Sequence, residues 1–206
     1  MCVHFKVNEC GAVDPKMQTV GNSIAAIKPD AIHAYKSTTE PLLCLYICGM
    51  KLLMVCLGNI CRSPLAEGIM QAKIRQAGLD WEVDSAGTNG FHVGEAPHPL
   101  SQKVAELNGI DISQQRARRF TKADMERYDK VYVMANEVLK EMKERVPQPW
   151  PSGKVELLMD AVYPGEARDV PDPWYGPEPG YHEVFAMIDE ACEAILEKYT
   201  TQQIQL

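Results

Sequence analysis

The stretch Val55-Cys-Leu-Gly-Asn-Ile-Cys-Arg-Ser-Pro64 constrains this chain more than any other. An apolar run, Leu52 to Val55, leads into a thiol and a short loop containing Gly58 and Asn59. Arg62, Ser63 and Pro64 follow, and a helical pattern begins. The reading is a strand–loop–helix unit with Cys56 at the strand's end and Arg62 at the helix's start. Loop N–H groups and helix N-termini favour anions, and a guanidinium grips two phosphate oxygens at once. Thiols in such a field ionise more readily than free ones. The pattern therefore predicts a tetrahedral oxyanion held above a thiolate. A Cys spaced this way from an Arg also arises by chance, and a Cys at a strand end is often an inert apolar side chain.

A second segment, Val170-Pro-Asp-Pro-Trp-Tyr-Gly176, supplies what such a thiolate would need. Prolines on either side of Asp172 stiffen the loop that carries it. A thiolate attacking phosphorus expels an alkoxide or phenoxide, and that oxygen needs a proton. A carboxylic acid beside ring surfaces can give it and then activate water. The plain alternative is a turn before the last helix, since Pro, Asp and Gly dominate turns.

Together, Cys56-Leu-Gly-Asn-Ile-Cys-Arg-Ser63, Asp84-Ser-Ala-Gly-Thr88 and Asp172-Pro-Trp-Tyr-Gly176 resemble the low-molecular-weight protein tyrosine phosphatase family, from about Lys51 to Tyr199. The resemblance implies Cys56 as nucleophile forming a phosphocysteine, Arg62 as phosphate clamp, and Asp172 as general acid and then base. Leu57, Gly58, Ile60 and Cys61 complete the implied phosphate-binding loop. Asn59 would hold its shape with Ser85 as hydrogen-bond partner, and Ser63 would donate to the Cys56 sulfur. Phe91, Trp174 and Tyr175 would wall a pocket deep enough for a phenyl phosphate. Ile60 stands where phosphoarginine-directed relatives usually carry Thr, which favours phosphotyrosine. Three positions depart from the family pattern: His98-Pro-Leu100, Gln115 and Ala135. The implied partners are a phosphotyrosine protein and a bacterial-type tyrosine kinase acting in opposition, with no cofactor and no metal.

Composition agrees. A net charge of −7 leaves no basic stripe for nucleic acid. The one dense basic cluster, Arg116, Arg118 and Arg119, reads as a solvated face. Seven cysteines without framework spacing suit a reduced, cytoplasmic protein. Cys2, His4, Cys10, Cys44 and Cys48 match no zinc pattern. Cys61 shares the loop with Cys56, so it is read either as a reversible disulfide partner or as packing beneath the loop. Two other functions stay open. A thiol-dependent arsenate reductase needs two relay thiols, for which the domain offers Cys61 and Cys192, the latter mid-pattern in the last helix. A noncatalytic phosphotyrosine-binding module would be expected to lack the nucleophile or the acid.

Apolar periodicity predicts strands at Lys51–Cys56, Trp81–Ser85, Lys130–Met134 and Val155–Leu158. It predicts helices at Pro64–Ala77, Gln102–Asn108, Lys122–Tyr128, Asn136–Arg145 and Tyr181–Tyr199. Strands alternating with helices give an α/β fold: a three-layer, doubly wound, parallel sheet with helices on both faces. With four strands, the resemblance implies the order 2-1-3-4. The site would then lie at the carboxyl end of the first strand, near the switch point. Residues 50–206 are read as this phosphatase domain. Residues 1–49 are read as a poorly ordered extension, or as a misassigned start with Met50 the true initiator. The apolar stretch from Leu42 to Cys61 is not read as a membrane span, because it contains Lys51 and the anion loop.

Overall fold

The computed structural model describes residues 49–201. Apart from Gly49, the reading of residues 1–49 lies outside the described residues, as do the five candidate zinc ligands. Strands β1 (Lys51–Cys56), β2 (Glu82–Gly87), β3 (Lys130–Val133) and β4 (Val155–Leu157) form one sheet in the order β2-β1-β3-β4. Every neighbouring pair is parallel, as expected.

The central strand β1 shows why both faces must be covered. Side chains alternate across a strand, and here Leu52, Met54 and Cys56 join one buried cluster while Leu53 and Val55 join another. The first cluster is closed by helices α1 (Arg62–Ala77), α2 (Pro99–Leu107) and α5 (Glu178–Thr201), through residues such as Leu65, Ile69, Val104, Ile188 and Ile195. The second is closed by the short α3 (Asp124–Arg127) and by α4 (Asn136–Arg145), through Val138 and Met142, with Tyr128 just beyond α3. Among the described residues no helix is long and apolar enough to cross a membrane.

Element edges moved for identifiable reasons. Helix α1 starts at Arg62, two residues before Pro64. Pro64 is still in the first turn, where its missing N–H has no intrahelical acceptor to lose. Helix α2 begins at Pro99 rather than Gln102, because His98 Nδ1 accepts from Leu100 N at 3.2 Å as a cap and Pro99 suits the first position. Strand β2 runs on to Gly87, where Ala86 and Gly87 pair with Val55 and Cys56. This extension carries β2 alongside the start of the anion loop.

Candidate active site

Cys56 ends β1 and the loop to Arg62 turns above it. Asn59 sits at φ 55°, a left-handed backbone that Asn tolerates better than most residues. The loop's carbonyl groups are drawn outward. Thr88 N donates to Cys56 O, Asn89 N to Leu57 O, and His98 N to Ile60 O, at 2.8–3.0 Å. Ser101 Oγ donates to Cys61 O at 3.3 Å. Among the described residues the N–H groups of Gly58, Ile60, Cys61 and Arg62 have no protein acceptor, which leaves them for an anion.

The side chains around the sulfur form one directed network. Arg118 N donates to Asn59 Oδ1 at 2.8 Å, so the Asn59 amide must present Nδ2 on its other side. Its two protons go to Ser63 Oγ at 2.9 Å and Ser85 Oγ at 2.8 Å. Each hydroxyl, having accepted, has one proton to give. Ser63 gives its proton to Cys56 Sγ at 3.0 Å, since the alternative acceptor Ala86 O is farther, at 3.5 Å. Ser85 gives its proton to Glu67 Oε2 at 2.6 Å. The sulfur also accepts from Asn59 N at 3.2 Å. Asn59 and Ser85 are therefore partners as expected.

Arg118 was not legible as part of the site. Of the three basic residues read as a solvated face, Arg116 and Arg119 are exposed, but Arg118 is half-buried in ion pairs with Asp84 and Asp124, both at 3.0 Å. Tyr128 Oη also donates to Asp84, at 2.5 Å. Against the penalty of burial, Tyr128 and Arg118 hold the Asp84 carboxyl below its usual range. The network fixes the Arg118 backbone, and its N–H in turn fixes Asn59.

Glu67, on α1, is another residue missed. Burial, opposed by the Ser85 hydrogen bond, pushes its carboxyl up to about 7, with Asp84 adding to the rise and Arg118 reducing it. Between pH 4.5 and 7 the folded protein holds a proton that the unfolded chain has lost, so this group makes stability fall as pH rises. Glu67→Gln keeps the acceptor and removes the charge. It is expected to stabilise the protein by on the order of 2–3 kcal/mol at pH 8 and hardly at all at pH 4. Denaturant unfolding at the two pH values measures this; equal effects at both would show that the carboxyl titrates normally.

Opposite the loop, the Asp172 segment hangs from the end of β3. Val170 N donates to Met134 O at 2.8 Å, and Val170 O accepts from Arg62 Nη1 at 3.1 Å. Arg62 Nη2 bonds Asp172 Oδ2 at 2.7 Å, with Glu137 farther off at 4.0 Å. Asp172 Oδ1 accepts from Trp174 N at 3.1 Å, an Asx turn that the flanking prolines reinforce. The Arg62 side chain is buried, while Asp172 keeps 39% exposure. The guanidinium and the carboxyl group thus form a direct ion pair, buried on the arginine side and open on the aspartate side.

Both residues line a cavity of about 260 Å³ with the buried Cys56 at its floor. Leu57, Gly58, Ile60, Cys61 and Arg62 line it, together with Asn89, Phe91, His92, Asp172, Trp174 and Tyr175. The three expected aromatic walls are all present, but two stand at the rim: Phe91 is 85% and Tyr175 95% exposed. Trp174 is the inner wall. Its ring lies between those of His92 and His98, at 5.2 and 5.3 Å, and His98 also stacks on Tyr181. Burial pushes the His98 imidazole below its usual range, in keeping with its accepting role at the α2 cap.

Gly87 is where the β2 end approaches the loop. A Cβ there would sit 2.8 Å from the Gly58 carbonyl carbon and 2.9 Å from Asn59 N and Leu57 O. All three are backbone atoms, so the loop itself must shift. Gly87→Ala is expected to lower kcat/KM on an aryl phosphate by about 10–100-fold and to cost about 1–3 kcal/mol of stability. Kinetics and thermal unfolding check both; unchanged kinetics would mean the loop absorbs the methyl group elsewhere.

A family model described as low molecular weight phosphotyrosine protein phosphatase matches residues 51–205. The chain belongs to that family. Members of this phosphatase family are hydrolases, and Cys56 and Arg62 occupy the phosphate-binding-loop positions. A Synechocystis sp. relative carrying a low molecular weight protein-tyrosine-phosphatase name is 39% identical over 149 residues, covering 71% of this chain and 94% of the relative. Among solved structures, Vibrio vulnificus Wzb in complex with benzylphosphonate is 27% identical with TM-score 0.65, covering 73% of this chain and 99% of that one. The drosophila arginine phosphatase DARP is 31% identical with TM-score 0.68, covering 73% and 98%.

Cys56, Cys61 and Cys192 are free thiols. Cys61 packs beneath the loop, 3.9 Å from Tyr181 Oη, and burial pushes its thiol up to about 12. Cys192 is fully buried in α5, and burial raises it as well.

Proposed function

We propose that this chain hydrolyses phosphotyrosine in proteins through a phosphocysteine. The observation that carries the reading is Cys56 Sγ at a cavity floor, hydrogen-bonded by Asn59 N and Ser63 Oγ, with Arg62 and Asp172 paired above it. Phosphate oxygens take the loop N–H groups and the Arg62 guanidinium, which exchanges Asp172 for the substrate dianion. The sulfur attacks phosphorus in line with the phenolic oxygen. The P–O bond breaks as Asp172 gives that oxygen its proton. In the second step the Asp172 carboxylate takes a proton from water, whose oxygen attacks phosphorus. The S–P bond breaks, inorganic phosphate leaves, and Ser63 supports the departing thiolate.

Trp174 as inner wall and Ile60 at the loop favour an aryl ester, and the benzylphosphonate on the Wzb neighbour is a phenyl-bearing ligand of this kind. A phosphotyrosine protein is then the substrate, with a bacterial-type tyrosine kinase as the opposing enzyme, in the reducing cytoplasm where the free thiols of Cys56, Cys61 and Cys192 persist. A thiol-relay arsenate reductase has less support, because Cys192 is wholly buried and the Cys61 thiol is held protonated. That Cys56 and Asp172 line one cavity speaks against a purely binding role.

The test is metal-free hydrolysis of an aryl phosphate at mildly acidic pH, followed by phosphotyrosyl, phosphoseryl and phosphoarginyl peptides of one sequence. Preference for phosphotyrosine by a factor of about 100 or more is expected from the need to reach a deep nucleophile. Faster turnover of the phosphoarginyl peptide would overturn the substrate assignment.

A further inference from the structure

Beside the cavity mouth the surface turns basic, in a protein whose net charge is −7. Residue 119 is pinned there by backbone. Arg119 bridges Gly87 as in a parallel ladder, and Phe120 N donates to Gly87 O at 2.7 Å. Gly87 lies two residues before Asn89, which lines the cavity. The Arg119 stem runs along Gly90, where a Cβ would sit 3.6 Å from Arg119 Cδ. Gly90 in turn adjoins Phe91 at the rim.

From this point a second cleft, of about 350 Å³, leads away, lined by Arg119, Phe120, Thr121, Lys122, Arg145 and Val146. Three of its six residues are cations. Arg145 is matched by Glu141 at 3.6 Å. Arg119 and Lys122 are exposed and have no acidic partner among the described residues, whereas the adjacent Arg118 is neutralised by Asp84 and Asp124. Phe120 and Val146, both buried, give the cleft an apolar floor. Unmatched cations over an apolar floor, next to the mouth of a phosphate site, complement an extended acidic segment.

We propose that this cleft holds the acidic flank of a phosphotyrosyl substrate, whose carboxylates meet Arg119 and Lys122 while its phosphotyrosine fills the cavity. This rests on the phosphotyrosine reading above and specifies which phosphotyrosines are taken. Exposed ion pairs are individually weak, each worth a factor of about 1.7–4.5. Two of them give selectivity of about 3- to 20-fold, and salt must erode it.

The experiment compares kcat/KM for two phosphotyrosyl peptides of equal length, one flanked by glutamates and one by glutamines, with a small aryl phosphate alongside. Wild type and the Arg119→Glu, Lys122→Glu double variant are measured at low and high ionic strength. The expected result is a 3- to 20-fold preference of wild type for the glutamate peptide at low salt, shrinking towards unity at high salt. The double variant should reverse the preference and leave aryl phosphate turnover unchanged. Equal rates for both peptides in wild type, or a preference that survives charge reversal, would overturn the proposal. So would a double variant that keeps its peptide selectivity but loses binding to anionic phospholipid vesicles, since the cleft would then face a lipid. Failure of wild type on the aryl phosphate itself would instead overturn the phosphatase reading beneath it.

Discussion

Exchange of Cys56 for serine is expected to lower aryl phosphate turnover by about four orders of magnitude or more, with phosphate binding retained. The reason is local. The sulfur accepts from Asn59 N and Ser63 Oγ, both of which support a thiolate. No group hydrogen-bonded to it is a base that would take a proton from a serine hydroxyl. Asp172, the carboxyl group at the same cavity, is bonded instead to Arg62 and Trp174 N. The variant keeps a small polar side chain at a buried position, so the loop and its N–H groups stay in place. Steady-state kinetics and phosphate inhibition together check the claim. A serine variant with near wild-type turnover would remove Cys56 from the chemistry, whatever else the site contains.

Asp172→Asn should cost about 100- to 10,000-fold in kcat for a poor leaving group such as phenoxide, and much less for p-nitrophenoxide, which departs without a proton. Asparagine preserves the Oδ1 that accepts from Trp174 N, so the loop keeps its Asx turn. On the proposed mechanism the change removes the group that gives and takes the proton, and it removes the ion pair with Arg62. The second step loses its base as well, so the phosphocysteine should accumulate and show as a burst on a good leaving group. Equal losses on phenyl and p-nitrophenyl phosphate would mean that Asp172 acts only by orienting Arg62.

Much of the fold was legible because short-range rules decide it. The burial of β1 on both faces follows from an unbroken apolar run, and α4 spans Asn136–Arg145 as its periodicity indicated. Edges were less legible where long-range pairing sets them, as at Ala86 and Gly87, which are strand only because Val55 and Cys56 lie beside them. Cys56, Arg62 and Asp172, which line one cavity, stood out in the sequence through residue type and stiff local context. Arg118 did not, because three clustered arginines look alike until Asp84 and Asp124 are brought to one of them. Glu67 reads as an ordinary polar helix position, and only the Ser85 hydroxyl marks it otherwise. His92 gave no signal, and His98 stood out only as a departure from the family pattern, until the fold packed Trp174 against both.

By itself, the sequence determined the chemistry available to this protein. A thiol at a strand end, a guanidinium at a helix start and a carboxyl group between prolines are local arrangements, set by backbone preference and side-chain type. The tertiary structure decided which of these groups act on one another. Arg62 and Asp172 meet across 110 positions, and Arg118 N reaches Asn59 across 59. Such contacts depend on how a parallel sheet orders its strands and on where crossover loops return. That ordering is a property of the whole packed core, in which β1 is flanked by β2 and β3 and its carboxyl end gathers loops from distant parts of the chain.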